Sequence, residues 1–203
     1  MKKFLVIGNP IEHSLSPKLH NYWIKKYSIE AVYNKKLLQE KDIDKLINEI
    51  RINKITGLNI TVPFKKFIIP FVDQLTPIAK ETQSINTIYK KNNKIIGDNT
   101  DVGGFELALK KIMYKFEGKK ILILGAGGVT SSIIVALKKF KVLKIFISNR
   151  TKEKAEQLKK NYNNLDIVEW GRMIDFDILI NTTSVGLDQK NKIKLDLKEK
   201  LTG

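Results

Sequence analysis

Residues 120–139 read KILILGAGGVTSSIIVALKK. The apolar run Ile121-Leu122-Ile123-Leu124 stops at Gly125-Ala126-Gly127-Gly128 and gives way to a run of helical character. Four consecutive apolar residues closed by glycine predict a strand buried on both faces, as in a parallel sheet. A glycine-rich turn between such a strand and a helix lets the backbone approach a pyrophosphate closely. The helix start then offers free N–H groups and the positive end of its dipole. It is this context, more than the glycines themselves, that points to a dinucleotide. The third glycine of the usual fingerprint is replaced, because Thr130, Ser131 and Ser132 occupy that region. An ordinary strand-to-helix turn is the alternative reading.

The next predicted strand, residues 144–148, leads into Asn149-Arg150-Thr151. Folds that take NAD carry an acid at this point for the ribose hydroxyls. Here there is none, and an arginine stands in the tripeptide. A carboxylate would repel a 2′-phosphate, whereas a guanidinium pairs with it, so the pattern predicts NADP(H) rather than NAD(H). Lys154 adds a second cation, and Thr151 is placed to cap a helix over residues 152–161. A solvated surface arginine is the alternative.

Outward from this unit, strands alternate with helices in both directions. Strands are predicted at residues 3–8, 31–36, 57–62, 167–170 and 177–181. Residues 84–89 and 94–97 flank Asn92-Asn93 as a hairpin. A helix over residues 17–27 has Ser16 as its N-cap and Pro17 in its first turn. Ile43, Leu46, Ile47 and Ile50 repeat at helical spacing within residues 42–52. A helix over residues 103–114 places Phe105, Leu109 and Ile112 on one face, and another covers residues 129–140. The fold class is α/β, with a mainly parallel N-terminal unit and a Rossmann-like C-terminal unit. The predicted divisions are 1–101, a connecting helix and linker over 102–118, and 119–203.

Composition excludes several classes. The chain has 203 residues, 42% of them hydrophobic, and a net charge of +16. Of the 37 basic residues only Arg51, Arg150 and Arg172 are arginines, and the lysines are scattered. Base readers place arginines for bidentate contacts, so no nucleic-acid partner is expected. Without cysteine there is no disulfide and no thiolate metal site. His13 and His20 cannot build a conventional zinc site alone, and no metal is expected. The apolar run behind Lys2-Lys3 is too short for a signal peptide, and no stretch is long enough to span a membrane. A cytoplasmic protein without membrane partners is the expectation. Trp23 and Trp170 read as packing residues.

Four polar motifs sit at strand ends or in adjacent loops of the N-terminal unit. They are Ser14-Leu15-Ser16, Asn59-Ile60-Thr61-Val62-Pro63-Phe64-Lys65, Ile85-Asn86-Thr87 and Asp98-Asn99-Thr100-Asp101. Ligands in open α/β sheets bind beyond the carboxyl ends of strands. Hydroxyls, amides, one lysine and one aspartate suit a polyhydroxylated acid. Each motif alone has a structural alternative: Ser16 and Asp101 could cap helices, and Asn86 could serve a turn.

Together the motifs resemble the shikimate dehydrogenase family. The resemblance runs from Gly8-Asn9-Pro10-Ile11-Glu12-His13-Ser14-Leu15-Ser16-Pro17, with His20-Asn21, through the three further motifs above. It continues through the glycine turn and Asn149-Arg150-Thr151 to Asn181-Thr182-Thr183-Ser184-Val185-Gly186. It implies NADPH-dependent reduction of 3-dehydroshikimate to shikimate in aromatic amino-acid biosynthesis. It also implies that Ser14, Ser16, Asn59, Thr61, Asn86 and Asp101 contact the substrate and that Lys65 carries the proton. Gly125, Ala126, Gly127, Gly128, Val129, Asn149, Arg150, Thr151 and Lys154 would hold NADP. Thr182 and Ser184 would lie on the nicotinamide side of a cleft between the two domains. A homodimer is left open. A quinate/shikimate enzyme, or a non-catalytic NADP-binding fragment, are the alternatives.

The chemistry agrees with the implied roles. A ketone receiving hydride develops negative charge on oxygen, and a proton donor must stand beside it. An ordinary lysine is charged at neutral pH, and a neighbouring carboxylate favours that form. In the reverse direction the lysine must act as a base, which favours higher pH. The chain departs from the family at Ser84, where glycine is usual, at Ser131 and Ser132, and at Leu187, where methionine is frequent. The resemblance also implies a further C-terminal segment with more strands and a closing helix, so the nucleotide domain is expected to be incomplete here.

Overall fold

A computed structural model describes residues 1–172 and 174–186. Leu187 lies outside them. Two compact units divide the chain, Met1–Val102 and the part from Gly103 onward.

The first unit contains strands β1 (Lys2–Gly8), β2 (Ala31–Leu37), β3 (Gly57–Ile60), β4 (Gln74–Leu75), β5 (Thr87–Lys91) and β6 (Lys94–Asp98). They form one sheet in the order β2-β1-β3-β5-β6-β4. The β1–β2, β1–β3 and β4–β6 pairs are parallel, while β3–β5 and β5–β6 are antiparallel. Helices α1 (Ser16–Lys26), α2 (Ile43–Arg51), α3 (Phe64–Phe67) and α4 (Pro77–Thr82) follow the strands, and α5 (Asp101–Lys111) begins at the end of this unit. The core gathers on one face of the sheet. There Ile43, Leu46, Ile47 and Ile50 of α2 pack with Ile7, Leu58, Ile60, Phe64, Ile88 and Ile95. Each such side chain contributes roughly 2 kcal/mol of burial. The β5–β6 turn is Asn92-Asn93, both with positive φ (49° and 59°). That is the geometry of a two-residue hairpin loop that matches strand twist, and asparagine tolerates it.

Four local expectations need correction. Helix α1 is entered from Leu15, and no side chain caps it. The Ser16 N–H reaches Ser14 Oγ instead, at 3.4 Å. Helix α5 starts at Asp101 because Asn99 Oδ1 accepts from the N–H groups of Asp101 and Val102 (3.0 and 3.3 Å). It ends before Met113, whose φ of 50° breaks the helix and leaves Ile112 exposed rather than on a face with Leu109. The strand expected at 84–89 begins at Thr87, because the Ile85 N–H is committed to Lys65 O at 2.8 Å. Trp23 is 40% exposed beneath Lys26 rather than packed in a core. Strand β4 and helix α4 had no forecast. Thr76 caps α4 by accepting from the Ala79 N–H, and Gln83 closes it in the left-handed region.

One surface contact ties α2 to the β4 edge. Arg51 donates to both carboxylate oxygens of Asp73 (2.8 and 2.7 Å), and the Ile95 N–H donates to Asp73 Oδ2. The Arg51 hydrogen bonds, with the backbone bond second, hold the Asp73 carboxyl at about 2, against its ordinary 3.8. A depressed carboxylate stabilises the fold fully above its unfolded value and loses that effect as pH falls through its folded value. Arg51→Gln is therefore expected to cost under about 1 kcal/mol at neutral pH, as for other exposed pairs. Urea melts should show the difference from wild type vanishing as pH approaches about 2. A pH-independent difference would remove the pair's electrostatic role.

The second unit holds β7 (Lys120–Leu124), β8 (Lys144–Ser148), β9 (Leu165–Val168) and β10 (Ile178–Asn181), all parallel, in the order β10-β7-β8-β9. Helices α6 (Thr130–Lys139) and α7 (Lys152–Asn161) connect the first three. Ile121, Leu122 and Ile123 of β7 have no exposed surface, as a strand covered on both faces requires. Thr151 stands before α7 in extended backbone, but its side chain makes no capping bond, contrary to expectation. Strand β9 lies two residues earlier than expected, and Trp170 falls outside it. Among the described residues no helix is long and apolar enough to cross a membrane, and no cluster of acids and histidines could hold a metal.

Candidate active site

The sheet register explains why distant motifs of the first unit meet. Strand β3 runs parallel to β1, so Gly8 and Ile60 end at the same edge. Strand β5 is antiparallel to β3, with Thr87 opposite Asn59, so it starts at that edge. Strand β6 is antiparallel to β5, with Asp98 opposite Thr87, so it finishes there. Just beyond these ends lie Ser14, Thr61 and Asn86 in loops, Lys65 in α3 and Asp101 at the start of α5. Close approach at the edge depends on Gly8: a Cβ there would sit 2.6 Å from Thr61 Cγ2 and 3.0 Å from Ile11 Cδ1.

Lys65, in α3, donates to Asp101 Oδ2 at 2.6 Å, with side chains 12% and 23% exposed. This partial removal from water makes the pair stronger than a surface ion pair. Asn86 Nδ2 donates to Asp101 Oδ1 and to Thr100 Oγ1, both at 2.9 Å. Its Oδ1 accepts from the Thr100 N–H at 2.9 Å and from Thr87 Oγ1 at 3.0 Å. Asn59 lies one residue pair behind: its Nδ2 donates to Asn86 O (3.2 Å) and Thr87 Oγ1 (3.1 Å). Its Oδ1 accepts from the Tyr33 hydroxyl at 2.7 Å. The structure thus joins Lys65, Asn86 and Asp101 directly and Asn59 indirectly. Ser14 and Thr61, in loops, and Ser16, at the start of α1, are half-buried near that edge and make no hydrogen bond to the pair. A lysine held on a carboxylate, rimmed by hydroxyls, can transfer a proton to an oxygen and orient a hydroxylated ligand.

Two contributors had no assigned role at the sequence level. Asn99 fixes the start of α5, and so the position of Asp101. Tyr33 is buried on a strand whose later residues are exposed. A lone buried tyrosine ahead of Asn34-Lys35-Lys36 was the available signal, since a buried hydroxyl needs a partner.

In the second unit the turn after β7 is held from three sides. Gly125 has φ +106°, and its N–H donates to Ser148 O at 2.8 Å. The Ala126 N–H donates to Asn149 Oδ1 at 3.0 Å, so Asn149 braces the turn from the end of β8. Thr182 Oγ1 lies 2.9 Å from Leu124 O and 3.2 Å from Gly125 O. Thr130 Oγ1 lies 2.9 Å from Thr182 Oγ1 and 3.2 Å from Gly125 O. Thr130, Ser131 and Ser132 are all buried. Their small side chains provide the close helix packing for which the third glycine is otherwise needed. Gly127 is exposed, and a Cβ there would meet only Thr182 O, at 3.8 Å. A ligand can therefore approach the backbone at Gly127. Arg150, Thr151 and Lys154 are exposed beyond β8, and among the described residues Arg150 makes no ion pair. Ser184 is exposed, in a loop closed by the Asn181 side chain through Thr183 and Val185. An open turn at a helix start with an exposed guanidinium at the next strand end fits a phosphorylated dinucleotide.

Comparison with known proteins agrees with this geometry. Residues 6–88 match the shikimate dehydrogenase substrate binding domain, and residues 106–188 match the shikimate / quinate 5-dehydrogenase family. A shikimate dehydrogenase (NADP(+)) of Pelagibacter ubique is 60% identical over 198 residues, covering 98% of this chain and 75% of that protein. The crystal structure of shikimate dehydrogenase from Aquifex aeolicus superposes with a TM-score of 0.88 at 38% identity, over 95% of this chain and 72% of the other. That of the Thermus thermophilus enzyme, in complex with NADP(H) and shikimate, gives 0.82 at 30% identity, over 92% and 70%. The class is that of the NADP-dependent oxidoreductases with a Rossmann-like unit. Within it, the chain belongs to the shikimate dehydrogenase family.

Proposed function

We propose that the chain interconverts 3-dehydroshikimate and shikimate with NADP(H), a step of aromatic amino-acid biosynthesis. The observation that supports this most directly is the Lys65–Asp101 pair at 2.6 Å, held on the sheet edge where the polar motifs converge. Bound NADPH supplies hydride to the ketone carbon. Lys65 gives a proton to the ketone oxygen, and in the oxidation it takes that proton back. Asp101 holds the Lys65 ammonium and accepts from a substrate hydroxyl. Asn86 keeps the Asp101 carboxylate in place. Ser14, Ser16 and Thr61 supply hydroxyls to the ligand's polar rim. A soluble acid and a soluble dinucleotide suit a cytoplasmic setting.

Gly127, Gly128 and Val129 would take the pyrophosphate at the start of α6, and Arg150, with Lys154, the 2′-phosphate. Arg150→Ala is expected to weaken NADP⁺ binding about thirtyfold, the loss of one charge-assisted contact, and to leave NAD⁺ binding nearly unchanged. Titration calorimetry with both dinucleotides checks this, and equal affinities in the parent chain would remove the proposed NADP preference. The activity itself is tested by shikimate-dependent reduction of NADP⁺, followed by NADPH absorbance. No turnover above a blank with substrate omitted would overturn the proposed function of this chain.

A further inference from the structure

We propose that Tyr33, remote from the reacting groups, is a positioning residue that orients Lys65 and Asp101 through a relay of side-chain hydrogen bonds. The inference rests on the function proposed above for its kinetic consequence, but not for the relay itself.

The relay is continuous. The Tyr33 hydroxyl donates to Asn59 Oδ1 at 2.7 Å. Asn59 Nδ2 donates to Thr87 Oγ1 at 3.1 Å, and Thr87 Oγ1 donates to Asn86 Oδ1 at 3.0 Å. Asn86 Nδ2 donates to Asp101 Oδ1 at 2.9 Å, and Lys65 Nζ donates to Asp101 Oδ2 at 2.6 Å. A second strand of the same relay runs from Asn59 Nδ2 to the Asn86 carbonyl at 3.2 Å.

Chemistry fixes the direction of each link. The Asn86 carbonyl oxygen can only accept, so it is the Asn59 NH₂ that faces it. Asn59 Oδ1 must then face Tyr33, and the tyrosine must donate. The Thr100 backbone N–H can only donate, so Asn86 Oδ1 faces it and the Asn86 NH₂ faces the Asp101 carboxylate. Both amides are thereby locked against a flip. With both amide hydrogens and the carbonyl oxygen so engaged, Asn59 acts behind the substrate contacts rather than among them.

Tyr33 is built as a fixed anchor. It is only 3% exposed. Asn21 clamps its backbone from α1, donating to Tyr33 O at 2.7 Å and accepting from the Tyr33 N–H at 3.0 Å. The His20 ring stacks on it, with centroids 4.2 Å apart. Burial pushes its hydroxyl up to about 12, so it remains a donor throughout the working pH range. A buried amide network that is fully satisfied selects one arrangement, and removing one donor leaves an acceptor unpaired and the amides free to turn.

The test uses Tyr33→Phe, which removes one oxygen from a ring that stays packed, and Thr87→Val, which breaks the middle link. Each is expected to lower kcat about tenfold with the shikimate KM within about twofold, as for a misaligned catalytic group. The double variant should lose clearly less than the product of the two single losses, because both variants act on the same array through Asn59 and Asn86. Independently of turnover, exchange of the Asn86 side-chain amide hydrogens, read by nitrogen-resolved NMR on the whole chain, should quicken at least about fivefold in each variant. Unchanged Asn86 exchange overturns the relay, whatever the kinetics. Quickened exchange with unaltered kcat, or with fully additive losses, overturns the positioning role. Absence of turnover in the parent chain would overturn the proposed reaction, and the NMR result would still decide the relay.

Discussion

Lys65→Ala is expected to lower kcat for shikimate oxidation about a thousandfold while moving the shikimate KM by less than about threefold. The reason is geometric. Lys65 Nζ is the cation held on Asp101, and the neighbours in the array, Asn86 and Asn59, are neutral amides committed to one another. Among the described residues Lys65 is the one charged donor hydrogen-bonded to Asp101, and a hydroxyl is a far weaker acid for the developing alkoxide. In the proposed reading Ser14, Ser16 and Thr61 still supply hydroxyls to the substrate, so affinity should survive. Asp101→Asn is expected to cost about a hundredfold, because the lysine remains but loses its anchor. Fold stability should change little in Lys65→Ala, about 1 kcal/mol, since Asp101 keeps Asn86 as a partner. Steady-state kinetics with thermal melts check all of this. Turnover like that of the parent in Lys65→Ala would remove the lysine from the mechanism.

Gly125→Ala is expected to destabilise the second unit by about 3 kcal/mol and to weaken NADP⁺ binding more than about a hundredfold. A side chain at φ +106° is strained wherever it points. Here its Cβ would also meet Thr182 Oγ1 at 2.7 Å and Thr183 Cγ2 at 2.8 Å. Thr182 cannot swing away cheaply, because its hydroxyl sits against the carbonyls of Leu124 and Gly125 and against Thr130. Gly127→Ala is the informative contrast. Its Cβ meets nothing closer than 3.8 Å, so the fold should be unaffected. NADP⁺ affinity should still fall about tenfold, because the added methyl occupies the approach to the backbone N–H groups. Urea melts separate the two glycines, and calorimetry compares their affinities. Equal stability of Gly125→Ala and the parent would show that the turn relaxes freely.

The two units were legible in the sequence to different depths. In the second, Ile121–Leu124 is legible as a strand because its run is short, apolar and closed by glycine, which favours a strand buried on both faces over a helix. Lys144–Ser148 follows the same logic, helix Lys152–Asn161 is legible from Ala155 and Leu158 at helical spacing among charges, and the structure has both at the expected residues. In the first, β4 and α4 escaped forecast. A two-residue edge strand has no periodicity, and α4 is specified by the Thr76 cap and the left-handed Gln83 rather than by an apolar face. Ends were misjudged where a distant partner decides them. Asn99 starts α5 early, and Lys65 O takes the Ile85 N–H out of β5.

The sequence by itself determined the α/β class, the glycine turn, the arginine in place of an acid and the inventory of polar motifs. These depend on local rules: apolar period, glycine's freedom at positive φ and the sign of a charge. Tertiary structure decided which of those polar residues are joined by hydrogen bonds. Residues 59, 65, 86 and 101 meet because two antiparallel pairings return the chain to the edge where β1 and β3 end. It also decided that Tyr33, which carries no motif, stands at the head of their hydrogen bonds. A hydrogen bond acts over about 3 Å of space and is indifferent to separation along the chain.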